Sequence, residues 1–414
     1  MENRTFDRSS SKSQIESPGW GRVIRRCCAA LLFLMTTVPA IGRAQTRQHT
    51  KPKGSEPAPE PAVSAILAAF DKYEVVGMPE AHGMKDLDDF IFSLIRQPAF
   101  SEKVNDIAVE CGNSLYQPVL DRYIAGEDVP FTEVRKTWRN TTQPMCGMSG
   151  FFDQFFPLVR AINRKLPPGK SLRVLAGDPP LDWDQVKNFE DFLKFANRDA
   201  SIASVMEKEV LSKHRKALML FGTFHLMHGQ EKNAVSIYEK DYPNLTFVIS
   251  DFGYFDTDLP NLSGGALASW PIPSLARAKG TWLGALGLGH FLPPPTMINK
   301  DDCSVHNDFP KNLQKPMEDL VDAFLYLGPQ DLRLWEQMPA DIALDVEYRI
   351  ELLRREALLA FPGAATGTQS LKEIDQQIVN SAEDPMLKLP KQPPDPRSAV
   401  QSCLDLKSHS SPPK

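Results

Sequence analysis

The chain has 414 residues, 42 % hydrophobic and 24 % charged, with a formal charge of −5; it can bury a large core and exceeds the length of one ordinary domain. Its 35 prolines and six cysteines follow no period and form no dense framework, and no apolar run repeats, which excludes collagen-like, disulfide-scaffold, coiled-coil and multi-span membrane classes. Acidic charge without Lys/Arg clusters also argues against nucleic acid as a partner.

Residues 1–44 read as an export signal. Arg22, Arg25 and Arg26 precede an apolar stretch broken by Pro39, and Gly42 and Ala44 offer small residues at a cleavage site. An uncleaved anchor is the alternative, although a spanning helix takes ~20 apolar residues. The reading implies a periplasmic or secreted protein with no stable membrane insertion after cleavage. Cys111, Cys146, Cys303 and Cys403 then remain. An oxidising compartment permits disulfides, but spacing does not choose among the three pairings. No CxxC occurs, so a cysteine-ligated zinc site is not expected. Residues 45–62 read as a proline-rich linker and residues 381–414 as a disordered tail.

Between them, residues 63–380 read as one domain. Residues 73–77 form a first short strand, and Leu87, Phe90, Ile91, Leu94 and Ile95 then recur at helical spacing. Residues 106–110 are a second strand, with helical material through Leu120, Tyr123 and Ile124. Phe155, Leu158, Val159 and Ile162 mark another helix before a third strand at 172–176. Ile202, Val205, Met206 and Val210 precede a fourth at 217–221, and a fifth lies at 245–249. Residues 259–316 hold eight prolines and read as a long irregular insertion, a lid or a wall. Residues 324–327 look like one more strand, and Val346, Ile350, Leu353 and Ala357 mark a closing helix. Apolar strands alternating with amphipathic helices predict a layered α/β domain, its mostly parallel sheet covered by helices on both faces.

Ligands of such sheets bind beyond the carboxyl ends of the strands. The first strand is followed by Glu80 and His82, the second ends in Glu110, Cys111 and Asn113, the third in Asp178, and the fourth is followed by His225 and His228. Each has a plain structural alternative: Glu80 a solvated carboxylate, His82 a turn histidine, Asp178 a turn former, His228 a surface residue. Their convergence on one edge favours chemistry. His82 is the candidate general base, with Glu80 or Glu110 orienting it and Asp178, His228 and Asn113 contacting substrate. His82, Glu110, His225 and His228 would suit zinc, manganese or iron. The two later histidines converge only if the chain leaves strand geometry after Gly222. Cys111 reads as a buried core thiol or, less simply, a nucleophile. No GxGxxG, P-loop or GxSxG occurs, and Asp86, Asp88 and Asp89 open the first helix where a phosphate would otherwise bind.

The turn at residues 79–83, Glu110 and the Gly-Thr-Phe-His of residues 222–225 together resemble the superfamily that joins erythromycin-esterase-like, ChaN-like and TraB/Tiki proteins. The resemblance spans roughly residues 70–250. Its esterase branch implies that Glu80, His82, Glu110, His225 and His228 surround a water that attacks an ester, with His82 as base. The Tiki branch implies a divalent metal on GxxH motifs for peptide hydrolysis; residues 222–225 fit GxxH, whereas Pro79 stands three before His82. The ChaN-like branch shares a Glu-x-His turn and implies haem. The expected activity is therefore hydrolysis of an ester, lactone or amide in a small molecule or peptide. Haem or iron binding is the alternative.

Overall fold

The structure, a computed structural model, describes residues 51–80, 82–252, 259–292, 297–298, 303–306, 309–336 and 338–359, with scattered positions between 372 and 380. The expected signal and tail lie outside the described residues.

Alternation along the strands explains the architecture. Successive side chains of a strand point to opposite faces. In β5, Leu218 and Leu220 enter one core and Ala217, Met219 and Phe221 the other. In β3, Ile107, Val109 and Cys111 oppose Ala108 in the same way. Strands buried on both faces are apolar throughout, which is why they read as continuous runs.

Eight strands form one open sheet: β1 (Glu60–Pro61), β2 (Val75–Pro79), β3 (Asp106–Asn113), β4 (Arg173–Asp178), β5 (Ala217–Phe221), β6 (Thr246–Asp251), β7 (Ser274–Arg277) and β8 (Ala323–Tyr326). Their order is β1-β7-β8-β6-β2-β5-β3-β4. The strands from β8 to β4 are parallel, while β7 pairs antiparallel with both β8 and β1. Helices α1 (Lys85–Ile95) and α2 (Phe151–Asn163) pack on one face; α3 (Arg198–Glu209) and α4 (Ala234–Tyr238) pack on the other. The mostly parallel α/β sheet with helices on both faces is thus as expected. Among the described residues no helix is long and apolar enough to cross a membrane.

Two strands at one end of the sheet, the edge strand β1 and its neighbour β7, escaped the sequence. β1 lies in the segment read as a linker, where the Ser55 N–H and hydroxyl also donate to Gly280 O, and Trp282 Nε1 donates to Glu56. That stretch is docked on the sheet edge, where a proline is tolerated because one side of the strand needs no ladder bond. β7 lies within 259–316. The described part of that insertion buries Trp270, Trp282, Leu283, Leu286 and Phe291 in the second core, so it is a packed wall of the sheet.

β3 runs three residues beyond its expected end. Its register with β4 shifts between Val109 and Asn113, an irregularity in the ladder at the residues that carry Glu110 and Cys111. Gly112 permits the close approach there, since a Cβ would lie 2.8 Å from Ala176 Cα.

Candidate functional site

The parallel strands deliver their carboxyl ends to one edge, and Glu110 sits at the centre, 4 % exposed. Its Oε2 accepts the Gly222 N–H at 2.6 Å, and its Oε1 accepts Arg198 Nη2 at 2.9 Å. His225 Nε2 lies 3.5 Å and His82 Nε2 3.9 Å from the same Oε1. The longer gap exceeds a direct hydrogen bond and suits a bridging water.

Behind this carboxylate, Arg198 Nε donates to Asp178 Oδ1 at 2.9 Å. Asp178 is fixed in turn by the Thr142 N–H at 2.6 Å and the Thr142 hydroxyl at 2.7 Å. Each imidazole has a carboxylate on its far nitrogen. His225 Nδ1 meets Asp199 Oδ1 at 2.7 Å, an oxygen that also accepts the Ala234 N–H. His82 Nδ1 lies 2.9 Å from Glu80 Oε2 as an ion-pair contact, yet neither Glu80 oxygen has an aligned hydrogen-bond donor. The two imidazoles are 19 % and 18 % exposed, whereas Arg198, Glu110 and Asp178 are buried. A charged floor therefore carries two imidazoles at the open side.

Local structure places these groups. Gly83, at φ +87°, turns the chain after His82, and Trp335 closes over it at the distance a Cβ would need. Met84 bridges to Trp335, and the Glu336 N–H donates to Gly83 O. After Gly222 the chain enters a helical turn, Thr223–Leu226, which swings His225 toward Glu110. Asn197 caps α3 with its side chain, setting Arg198 and Asp199 at the helix entry.

Burial is the largest single influence on each group, and at Glu110 and the two imidazoles the neighbouring charges together reverse it. Burial opposes the Glu110 charge, but His225, Arg198 and His82 outweigh it and hold the carboxyl well below its usual range. Burial pulls His82 down, yet Glu80 and then Glu110 lift it to about 9. The same balance, with Glu110 and Asp199, lifts His225 to about 9. Burial raises Asp178 in spite of Arg198 and Thr142. Behind the His82 turn, burial and then Glu336 and Glu80 raise Asp88 well above the usual range, while burial foremost lifts Glu336 to about 7.

The structure thus gathers Glu80, His82, Glu110, Asp178 and His225. It does not bring in His228, whose Nδ1 pairs with Glu239 and Nε2 with Asp322, each at 3.0 Å. Asn113 is fully buried, and its amide donates to Asn140 O and Leu181 O, so both donors are taken by backbone. Cys111 is no free thiol: it is disulfide-bonded to Cys146, which removes both the nucleophile and the plain core-thiol reading. Cys303 is disulfide-bonded as well. Arg198, Asp199 and Thr142 were missed by sequence reasoning. One signal was present for Arg198, because a cation in the first turn of a helix opposes the macrodipole and implies a partner elsewhere.

For a metal, Glu80, His82 and Glu110 bring one ligand atom each within 4.8 Å of one another, whereas His225 and His228 belong to no such group among the described residues. Glu80 Oε1 has no hydrogen-bond donor and fits a cation, whereas Oε2 already pairs with His82 Nδ1. Arg198 and the Gly222 N–H already engage both oxygens of Glu110.

No protein-family profile and no curated protein matches the chain. Among solved structures it is similar to a Bacillus cereus protein at 11 % identity, covering 66 % of this chain and 95 % of that one, with a TM-score of 0.43. It is also similar to the type III effector HopBA1 at 14 % identity, covering 49 % and 87 %, TM-score 0.32. A third is ChaN of Campylobacter jejuni, which binds haem cofacially, at 17 % identity, covering 47 % and 88 %, TM-score 0.31. The functional reading rests on the site itself.

Proposed function

We propose that this protein is an exported hydrolase that activates water against an ester, lactone or amide carbonyl. One observation carries the reading: two carboxylate-backed imidazoles, His82 on Glu80 and His225 on Asp199, turn Nε2 toward one oxygen of a buried Glu110. Arg198 and the Gly222 N–H anchor that carboxylate.

In this reading a water on the open side hydrogen-bonds to both His82 Nε2 and Glu110 Oε1, which stand 3.9 Å apart. Neutral His82 takes its proton as oxygen attacks the carbonyl carbon, and protonated His225 donates to the developing oxyanion. Collapse breaks the bond to the leaving group, which takes the proton back from His82. Glu80 and Asp199 hold the two rings in orientation. At pH 7 only about one His82 in a hundred is neutral when its pKa is near 9, so the rate rises toward alkaline pH and falls once His225 loses its proton.

A divalent ion held by Glu80, His82 and Glu110 would instead lower the pKa of a bound water; the buried Glu80 Oε1, which has no hydrogen-bond donor, supports that version. Haem or iron binding in the ChaN-like manner is the second reading. Its support is that each imidazole is backed at Nδ1 by a carboxylate, as metal-ligating histidines usually are.

A panel of aryl and alkyl esters, lactones and acyl amides tests the proposal. Hydrolysis by wild type and its loss in His82→Ala is the expected result; full activity in His82→Ala removes the assignment. A Soret band on haem addition that His82→Ala or His225→Ala weakens would favour the second reading.

A further inference from the structure

Cys111 and Cys146 stand 35 residues apart in sequence, without the spacing that marks a zinc site. The fold nevertheless sets both against His82. One ligand atom from each of His82, Cys111 and Cys146 lies within 4.8 Å of the others, and Cys111 Sγ is 3.7 Å from His82 Nδ1. We propose that opening the Cys111–Cys146 disulfide creates a Cys2His site for a thiophilic divalent cation such as zinc, with His82 as its imidazole ligand.

Zinc holds thiolate sulfur at about 2.3 Å and imidazole nitrogen at about 2.0–2.1 Å, so a tetrahedral sulfur–nitrogen edge is roughly 3.6 Å. The edge from Cys111 to His82 already has that length. Only the sulfur–sulfur edge must lengthen, and Cys146 sits on a one-turn helix, Pro144–Gly147, between two loops. Three protein ligands leave a fourth position to water, the arrangement of open zinc sites.

The surroundings favour a cation. Glu80 is buried against His82 Nδ1, its Oε2 paired with that imidazole alone and its Oε1 without a hydrogen-bond donor. Both cysteines are fully buried, while His82 is partly exposed, so the entry path runs beside the imidazole. The chemistry balances with a dithiol reductant. Two electrons and two protons pass from the dithiol, which becomes its own disulfide, to the two cysteine sulfurs. The metal then displaces both thiol protons, and any proton on His82 Nδ1, to solvent. His82 in the metal complex has left the water-activating role, so the oxidised form is the hydrolase and the reduced form its metal-bound, silenced state.

Cobalt(II) is the probe, added to full-length protein reduced with dithiothreitol under argon and freed of excess thiol. The expected result is a sulfur-to-cobalt charge-transfer band with about one cobalt per chain, absent from the oxidised protein. The band persists in Cys303→Ser and is lost in Cys146→Ser. Circular dichroism of each variant separates loss of a ligand from loss of fold. No band in the reduced, folded wild type overturns the inference, as does a band unchanged in folded Cys146→Ser. The metal readout is independent of catalysis. A hydrolase without the band overturns this site alone, and the band in a protein that hydrolyses nothing removes only the hydrolase reading.

Discussion

His225 and His228 lie three residues apart, and both imidazoles are lifted to about 9 by neighbouring carboxylates. Their surroundings differ in one respect. His228 has a carboxylate on each nitrogen, Glu239 and Asp322, and Asp322 also accepts the Val248 N–H. It is a staple joining the loop after β5 to the loop before β8. His225 has a carboxylate of its own only on Nδ1, while Nε2 faces a Glu110 that Arg198, the backbone and His82 share. A histidine closed at both nitrogens holds structure, and one with a shared side is available to a reaction.

Substitution of each histidine is the direct way to break this comparison. His225→Ala or His82→Ala is expected to lower hydrolysis by ~10²–10⁴-fold, the usual range for a general acid or base, while His228→Ala leaves the rate per folded molecule near wild type. Equal losses at 225 and 228, measured on the same ester, would erase the distinction.

The second test concerns the floor beneath His225. Arg198→Ala leaves Glu110 and Asp178 as buried carboxylates without their cation, a change expected to cost about 3–5 kcal/mol. Urea unfolding at neutral pH reads it, and a loss below 1 kcal/mol would mean the buried pair is not held as described.

The staple has its own pH signature. The folded pKa of His228, near 9, lies above the ordinary histidine value of ~6.5. Its contribution is therefore fully present below about pH 6.5 and is lost as pH rises through 9; partial exposure limits it to on the order of 2 kcal/mol. The stability gap between wild type and His228→Ala should be widest at pH 6 and should close near pH 10. A gap independent of pH assigns the effect to packing.

The smallest effect is expected from Asp199→Asn. It removes the hydrogen-bonded charge that helps lift His225, so the alkaline limb of the hydrolysis profile moves to lower pH with a modest loss of maximal rate. An unmoved limb would take His225 out of the acid role.

The legible part of the site came from strand ends. Glu80, His82, Glu110 and Asp178 each close or follow an apolar run, and a parallel sheet sends such positions to one edge whatever its strand order. His228 was misread because the helical turn after Gly222 ends at Leu226, and the chain then carries His228 to Leu320 O and Asp322. Asn113 stands at the end of β3 as expected, but its side chain is buried and donates to the carbonyls of Asn140 and Leu181, 27 and 68 residues away. The partners of Arg198 are 88 and 20 residues away, and no local pattern announces them.

The sequence by itself determined the layered α/β class, the six apolar strands of the parallel sheet and the edge where polar groups gather. Those features follow from local periodicity and from burial on both faces. Only the tertiary structure decided that the proline-rich stretch after residue 50 docks on the sheet edge, that Cys111 pairs with Cys146 beside His82, and that Arg198 ties Glu110 to Asp178. Each of these joins segments distant in the chain. Such pairings depend on strand order and loop path, which the spacing of residues along a single chain does not record.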